Sequence, residues 1–591
     1  MFTTHVSCRL TTTGKRRWRV LWCSVLVITC LVTVAVAQKP QAALPRVFIN
    51  TAWNPPTGGT TWAAHTSAQL ASELQSAREE MAPELSATYF TDVVTYHNDN
   101  SRSGAAVHEQ ILTLANVNSP IFGRIGFFST DGRVDAEPLY LTKVAIGTVT
   151  HNVLYVVTEH ASAYAFDADT GARLWKVSGL ASGETPSDDH GCGQISPEIG
   201  ITDTPVIDRS VGPQGAIYFV VMSKDSAGHY HQRLHARDVA TGAELFGGPR
   251  EIQARYPGTG DGSKGGYVVF NPGQYAERVG LLELKGSIVL GWTSHCDHRP
   301  YTGWLMEYGA KNLAQISVLN LTPNGSEGSI WMSGAGLAAD AAGNVFFLDA
   351  NGTFDTTLNA GGFPIKGDYG NAFVKVGTLT RLMVADYFNM YNTVAESNAD
   401  EDLGSGGALL LPDFKDAGGH IRHLAVGAGK DKNIYVVDRD NMGKFNPTRN
   451  NIWEEIDSAL PGGVWSMPAY YNNTVYYGGV GDHIKAFAVS QALLSKFPAS
   501  ESGHTFPYPG ATPSISGNGN LNGIVWAVEN SNPAVLHAYK ASDLSQELYN
   551  SNQQGSRDHF GPGNKFITPM ITNGKVFVGT PTGVAVFGEL H

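Results

Sequence analysis

The feature that most restricts what this chain can fold into is a weak internal repeat running from about Thr91 to the C-terminus. Its unit is an apolar run with β-branched and aromatic residues, a polar turn, a second alternating strand, then a turn and a third strand. The clearest copy is LYVVTEHASAYAFDADTGARLW, Leu154 to Trp175. IYFVVMSKDSAGHYHQRLHARDVATGAEL follows from Ile217 and IVLGWTSHCDHRPYTGWLMEYGAKNL from Ile288. Further copies begin near Val345, Ile434, Val475 and Ile524, and VFVGTPTGVAVFG, Val576 to Gly588, is the last. Period-two alternation between turn residues predicts antiparallel meanders, one per copy. Irregular inserts space the copies by roughly 40 to 70 residues, which makes the repeat faint.

A meander needs a neighbour to bury both faces, and a closed ring leaves only short, protected edges. The copies therefore predict an all-β, eight-bladed β-propeller of four-stranded antiparallel blades, with seven blades as the alternative. The last copy is one strand short, while TDVVTYH (Thr91 to His97) precedes the first full one. Pairing of that strand with Val576 to Phe587 is predicted to close the ring.

Composition fits short strands and tight turns better than long solvated helices, with 67 glycines and only 16% charged residues. A net charge of -12 argues against a nucleic-acid partner, which wants a basic stripe. At the N-terminus, Lys15, Arg16, Arg17 and Arg19 precede the apolar run Val20 to Val34 and the small-residue site Ala35-Val36-Ala37. Residues 1–37 thus read as a cleaved signal peptide of a secreted or periplasmic protein, with an uncleaved anchor as the other reading. Cleavage would remove these basic residues and Arg9 but no acid, leaving a more acidic product with no membrane segment. Residues 38–90 read as a linker with a short helix, and 91–591 as the propeller. Of five cysteines, Cys8, Cys23 and Cys30 fall in the signal. The remaining pair, Cys192 and Cys296, suggests one disulfide in an exported chain, or else two buried thiols.

The segment FDADTGARLW (Phe166 to Trp175) has an Asp-x-x-Thr-Gly turn and a tryptophan closing the third strand. It resembles the blade motif of pyrroloquinoline quinone (PQQ) repeat proteins, the quinoprotein alcohol dehydrogenase-like eight-bladed propellers. The resemblance spans about Thr91 to Leu590, from VTYHNDNSRSG to GKVFVGTPTGVAVFG. It implies a fold more than a function, because non-catalytic scaffolds use the same repeat. In the family's dehydrogenases the cofactor stacks on a tryptophan and a calcium ion polarises its reactive carbonyl. An aspartate takes the alcohol proton, and an arginine or lysine contacts the quinone oxygens. Such a site demands hard oxygen ligands, a base and a cation.

Carried over motif by motif, the resemblance implies a set of site residues. GWTSHCDHRPYTGW offers Asp297 as calcium ligand, where the family has a glutamate one position away, and LDANGTF offers Asn351 as an amide ligand. GDYGN is similar to the family's Gly-Asp-Asn and implies Asp368 as catalytic base. GAGKDKNIYVVDRDNMG implies Lys430 as quinone contact. SIWMSGAG implies Trp331 as the stacking tryptophan, and PGGVWSMPAYY implies Trp465 beside the cofactor, with Val464 replacing the family's asparagine. The family's adjacent-cysteine disulfide is absent from the sequence, and with no haem motif any electrons must pass to a separate acceptor.

Plainer readings of the same residues stand beside these. Asp297 and Asp368 suit turn caps, Asn351-Gly352 a hairpin turn, and Lys430 an edge ion pair. Trp175 and Trp304 suit inter-blade packing. Asp400 and Asp402, two apart in NADEDLGSGG, read as a calcium holder or a solvated turn. His295, Cys296 and His298 are too close in sequence to converge alone, since neighbours in a strand face opposite ways. The resemblance implies a PQQ- and calcium-dependent dehydrogenase acting on an alcohol or sugar hydroxyl. The alternatives are a non-catalytic propeller binding a glycan or protein partner on its funnel face, and a polysaccharide lyase working through His295 or His160.

Overall fold

In the computed structural model, which describes residues 92–590, each sequence copy forms its own antiparallel meander, and the blades number eight, not seven. The signal and linker expected over residues 1–90 lie outside the described residues. Blade 1 pairs Leu139–Ile146, Val149–Val157, Ser162–Asp167 and Arg173–Ser178 in sequence order. Blades 2 to 4 are built around Ala216–Lys224, Ser287–Ser294 and Asn344–Leu348. Blades 5 to 8 are built around Leu424–Ala428, Thr474–Gly478, Leu521–Glu529 and Lys575–Thr580. Among the described residues no helix is long and apolar enough to cross a membrane.

The Asp-x-x-Thr-Gly turn explains its own sequence. Asp167 Oδ1 accepts from the backbone N–H of Asp169 and Thr170 at 3.1 and 2.8 Å and from Thr170 Oγ1 at 2.9 Å. Gly171 then takes φ 75°, a left-handed conformation that costs glycine little. Asp238 to Gly242 repeats the arrangement. These turns are also where blades are stitched together. Tyr155 OH and Trp175 Nε1 both donate to Val239 O, at 3.0 and 3.1 Å, across the first blade boundary. Tyr218 OH donates to Ala310 O at 2.8 Å, Trp453 Nε1 to Ala492 O at 2.7 Å and Tyr476 OH to Ala541 O at 2.9 Å. An aromatic body fills the inter-blade layer while its polar tip satisfies a turn carbonyl. Trp304, fully buried among blade 2 and 3 residues, belongs to the same layers.

Ring closure corrects the sequence expectation. Blade 8 is completed by Phe122–Ser129, which pairs antiparallel with Gly583–Glu589; residues 91–97 are not its partner. The chain cannot run on as a strand there, because His97, Asn98 and Arg102 take φ of 58°, 73° and 65°. Instead this segment crosses the inner end of the ring. Val93 exchanges hydrogen bonds with Tyr140 of blade 1 at 2.8 and 2.9 Å. The carbonyls of Val94, Asn100, Ser101, Ser103 and Gly104 accept from Ile207, Ala339, Leu410, Tyr470 and Ile515 at 2.6–3.0 Å. Those donors sit on the innermost strands of blades 2, 4, 5, 6 and 7.

Arg102 lies at the centre of this hub and is fully buried. Its Nε donates to Leu337 O at 2.8 Å, its Nη1 to Thr95 Oγ1 and Tyr96 O at 2.7 and 2.8 Å, and its Nη2 to Leu281 O at 3.4 Å. Gly336 permits this approach: a Cβ there would stand 2.9 Å from the guanidinium. Arg102→Ala would strand several buried carbonyls at once and is expected to destabilise the fold by about 3–5 kcal/mol. Arg102→Lys should lose most of that, since an ammonium cannot reproduce the fork. Denaturant unfolding checks both, and an unchanged midpoint would mean the hub does not hold the ring.

Candidate functional site

Beyond the hub, the ring's axis opens into a cavity of about 310 Å³. Arg278, Trp331 and Phe566 reach it from segments that meet the hub a few residues later, at Leu281, Leu337 and Thr568. The hub therefore floors the cavity.

One wall is aromatic. Trp331 meets Phe566 edge-on with ring centroids 5.8 Å apart, Phe566 meets Tyr508 at 6.2 Å, and Tyr508 meets Trp465 at 6.0 Å. Two cations stand against it. Lys430 Nζ is 5.9 Å from the centre of the Trp331 ring, and the Arg278 guanidinium is 5.0 Å from that of Phe566. Arg278 is 5% exposed, and its Nε and Nη1 have no hydrogen-bond partner. Burial pulls its pKa below the ordinary value, against the charges of Asp135 and Glu159.

The opposite side is acidic. Asp297, Asp400 and Asp402 all line the cavity with the amide of Asn351. Asp297 Oδ1 accepts from Ser294 Oγ at 3.0 Å and Tyr301 OH at 2.6 Å, which fixes its rotamer. Asn351 Nδ2 donates a long hydrogen bond to Asp400 Oδ1 at 3.4 Å. Lys430 pairs with Asp400 and, at 2.7 Å, with Asp402. Asp402 is 1% exposed, and neither of its oxygens accepts a well-angled hydrogen bond in spite of that ion pair. Burial pushes its pKa up to about 6, Lys430 opposes the shift, and Asp400 and Asp297 add to it. For Lys430, burial works against the charge, but Asp402 and Asp400 outweigh it and hold the pKa above the ordinary lysine value.

Of the residues singled out from sequence, Asp297, Asn351, Lys430, Trp331 and Trp465 share this cavity, and so do Cys192 and Cys296. Asp368 does not line it. Its carboxylate is buried in a neighbouring loop, where Oδ1 accepts from Asn324 N at 2.8 Å, so it caps a turn. Asp400 and Asp402 stand in the cavity instead, placed by the short helix Thr393–Ala399 and the turn that ends it: Asp400 takes a left-handed φ of 57°. Arg278 follows the short blade 3 strand Tyr275–Glu277, and Tyr508 and Phe566 come from segments between blades; none carries a motif, so nothing local in the sequence marks them.

Cys192 and Cys296 form a disulfide with Cα atoms 5.4 Å apart, linking segments 104 residues apart at the cavity rim. His295 beside it stacks on His190 with centroids 4.0 Å apart, and burial, then His190, push its pKa down to about 3. Cys296 and Asp297 both have positive φ, 48° and 54°, so the bridge holds a strained turn that aims Asp297 inward.

The pieces suit a flat, anionic ligand: an aromatic face, two facing cations, and buried donor atoms on Arg278 left without partners. The three acids, with an amide among them, suit a hard cation.

No protein-family model matches the sequence, and no curated protein matches it. Solved structures do. Quinohemoprotein alcohol dehydrogenase from Comamonas testosteroni is 16% identical, with a TM-score of 0.54 over 85% of this chain and 81% of that one. Quinohemoprotein alcohol dehydrogenase ADHIIG from Pseudomonas putida HK5 is 13% identical, with a TM-score of 0.52 over 87% and 81%. A europium-containing methanol dehydrogenase is 13% identical, with a TM-score of 0.53 over 84% and 98%. The chain has the propeller fold of the quinoprotein alcohol dehydrogenases. At these identities the likeness establishes the fold alone.

Replacing Cys192 and Cys296 by serine frees a loop of 104 residues. The chain-entropy model puts the loss of stability at about 4–5 kcal/mol, less whatever strain the turn releases. The double variant should unfold at a lower temperature than wild type, and the wild type should fall to the same value under reductant. Equal melting temperatures would show that the rim is held without the bridge.

Proposed function

We propose that this protein is an exported quinoprotein dehydrogenase that oxidises an alcohol or sugar hydroxyl with PQQ and a bound hard cation. The observation that carries the reading is the meeting, in one cavity, of residues that the PQQ-repeat resemblance picks from separate blades. Trp331 would stack on the quinone, Trp465 would flank it, and Lys430 and Arg278 would meet its anionic oxygens. Asp297, Asn351 and Asp400 would hold the cation. Three acids in one site suit calcium and suit a trivalent lanthanide still better, since hard cations are selected by ligand charge and number. Bound there, PQQ would supply the two-electron acceptor, and a separate protein or small molecule would take the electrons onward.

The role of base passes from Asp368 to Asp402. A buried carboxylate whose pKa stands near 6 has the driving force to take a hydroxyl proton and the protonation state to do so at neutral pH. Lys430, ion-paired to it, keeps the two charges in register. The disulfide and the His190–His295 stack shape the mouth through which an alcohol would enter.

Titration of the metal-free protein with PQQ, followed by quinone absorbance, should show binding only with calcium or a lanthanide present. Asp402→Asn should keep that binding and lose about two to four orders of magnitude in alcohol-dependent dye reduction, whereas Asp368→Asn should leave the rate near wild type. Lys430→Ala should weaken quinone binding first. Absence of metal-dependent quinone binding in the wild type would sink the dehydrogenase reading and favour a propeller that binds a glycan or protein partner.

A further inference from the structure

Away from the cavity, three metal-ligating side chains converge where blade 6 meets blade 7. His504 lies on Ser500–Phe506, the outer strand of blade 6, and Glu529 and His537 lie on the blade 7 strands Leu521–Glu529 and Val535–Lys540. His537 is opposite Ala527 in the register, so Glu529, two residues on, shares its face as a diagonal neighbour. The ligand atoms of all three lie within 4.8 Å of one another.

The distances suit a tetrahedral ion. Ligand atoms about 2.0–2.1 Å from a zinc ion stand about 3.3–3.4 Å apart along a tetrahedron's edge. Glu529 Oε2 is 3.0 Å from His504 Nε2 and 3.4 Å from His537 Nε2. The two imidazoles stack with centroids 4.7 Å apart, presenting their Nε2 atoms to the same oxygen.

Proton bookkeeping leaves room for a metal ion there as well. His537 Nδ1 is 2.7 Å from Glu547 Oε1, the carboxylate–histidine contact that fixes a metal ligand's tautomer. With its proton on Nδ1, a neutral His537 turns a lone pair at Nε2 toward an oxygen that also only accepts. Extra protons on the rings resolve that conflict, and so does one divalent ion. His504 is 40% exposed at its side chain while His537 is 4% exposed, so the group is anchored on one side and open to solvent on the other.

We propose that His504, Glu529 and His537 form a site for a divalent transition-metal ion of the zinc class, clamping blade 6 to blade 7 with its fourth position open to solvent. Two imidazoles and one carboxylate prefer such an ion over calcium, which separates this site from the oxygen-rich cavity. The strand bearing His504 leads directly into the segment carrying Tyr508, so the clamp steadies one panel of the aromatic wall.

The test uses the untagged full-length protein stripped with a chelator, titrated calorimetrically with Zn²⁺ and spectroscopically with Co²⁺. One equivalent should bind with the visible bands of four-coordinate cobalt, and zinc should raise the melting temperature. His504→Ala, at a half-exposed position the fold tolerates, should weaken binding more than about 100-fold, and Glu547→Gln by about 10–100-fold. Asp402→Asn and His483→Ala should leave it intact. Failure of the wild type to bind zinc, or equal binding by His504→Ala, would overturn the assignment.

Discussion

Everything in this molecule hangs on how the ring is held at its centre. Propeller blades are individually marginal sheets, and the aromatic staples between neighbours secure only adjacent pairs. The hub contributed by residues 93–104 is different, because one short stretch of backbone bonds to the innermost strands of six blades. Left-handed residues let its carbonyls fan outward, and the Arg102 fork ties the hub's own Tyr96 carbonyl to those of Leu281 and Leu337. Backbone groups at the axis of a ring would otherwise be buried without partners, at a cost of a few kcal/mol each. The hub also sets the depth of the cavity above it.

Within the cavity, opposing charges are kept apart by shape. The acids gather on the side of Asp297, Asn351 and Asp402, while Arg278 lies across the aromatic wall, and Lys430 reaches between the two. This division gives the cavity a polar axis. A ligand with a flat apolar body, acidic edges and an oxygen-bearing end would have one favourable orientation in it.

Much of this was legible in the sequence, and the failures share a cause. Alternation and turn chemistry are local, so the blades and the Asp167 turn could be read directly. Lys430, Asn351, Asp297, Trp331 and Trp465 were picked by motif resemblance, and the structure sets all five around one cavity. Asp368 misled because Gly-Asp before an aromatic is also an ordinary capped turn, which is what the structure makes of it. The closing strand misled for the opposite reason. TDVVTYH has the composition of a strand, but the positive φ at His97 and Asn98 is imposed by long-range bonds to six blades, invisible to any local pattern. Arg278 follows a short strand of blade 3 and Tyr508 and Phe566 come from linking segments, and the pairing of His504 with Glu529 and His537 needs two blades to be docked first.

The hub also orders events in time. Residues 93–104 and the strand Phe122–Ser129 leave the ribosome before any blade they serve, and the partner of that strand, Gly583–Glu589, follows more than four hundred residues later. The strand Phe122–Ser129 must remain unpaired while more than four hundred residues are made, because contacts of such sequence separation form late. Until then the growing array is an open arc with exposed edges at both ends. A chain of this design depends on reaching full length promptly, and a stalled or truncated translation product would be a sticky fragment with no ring to join.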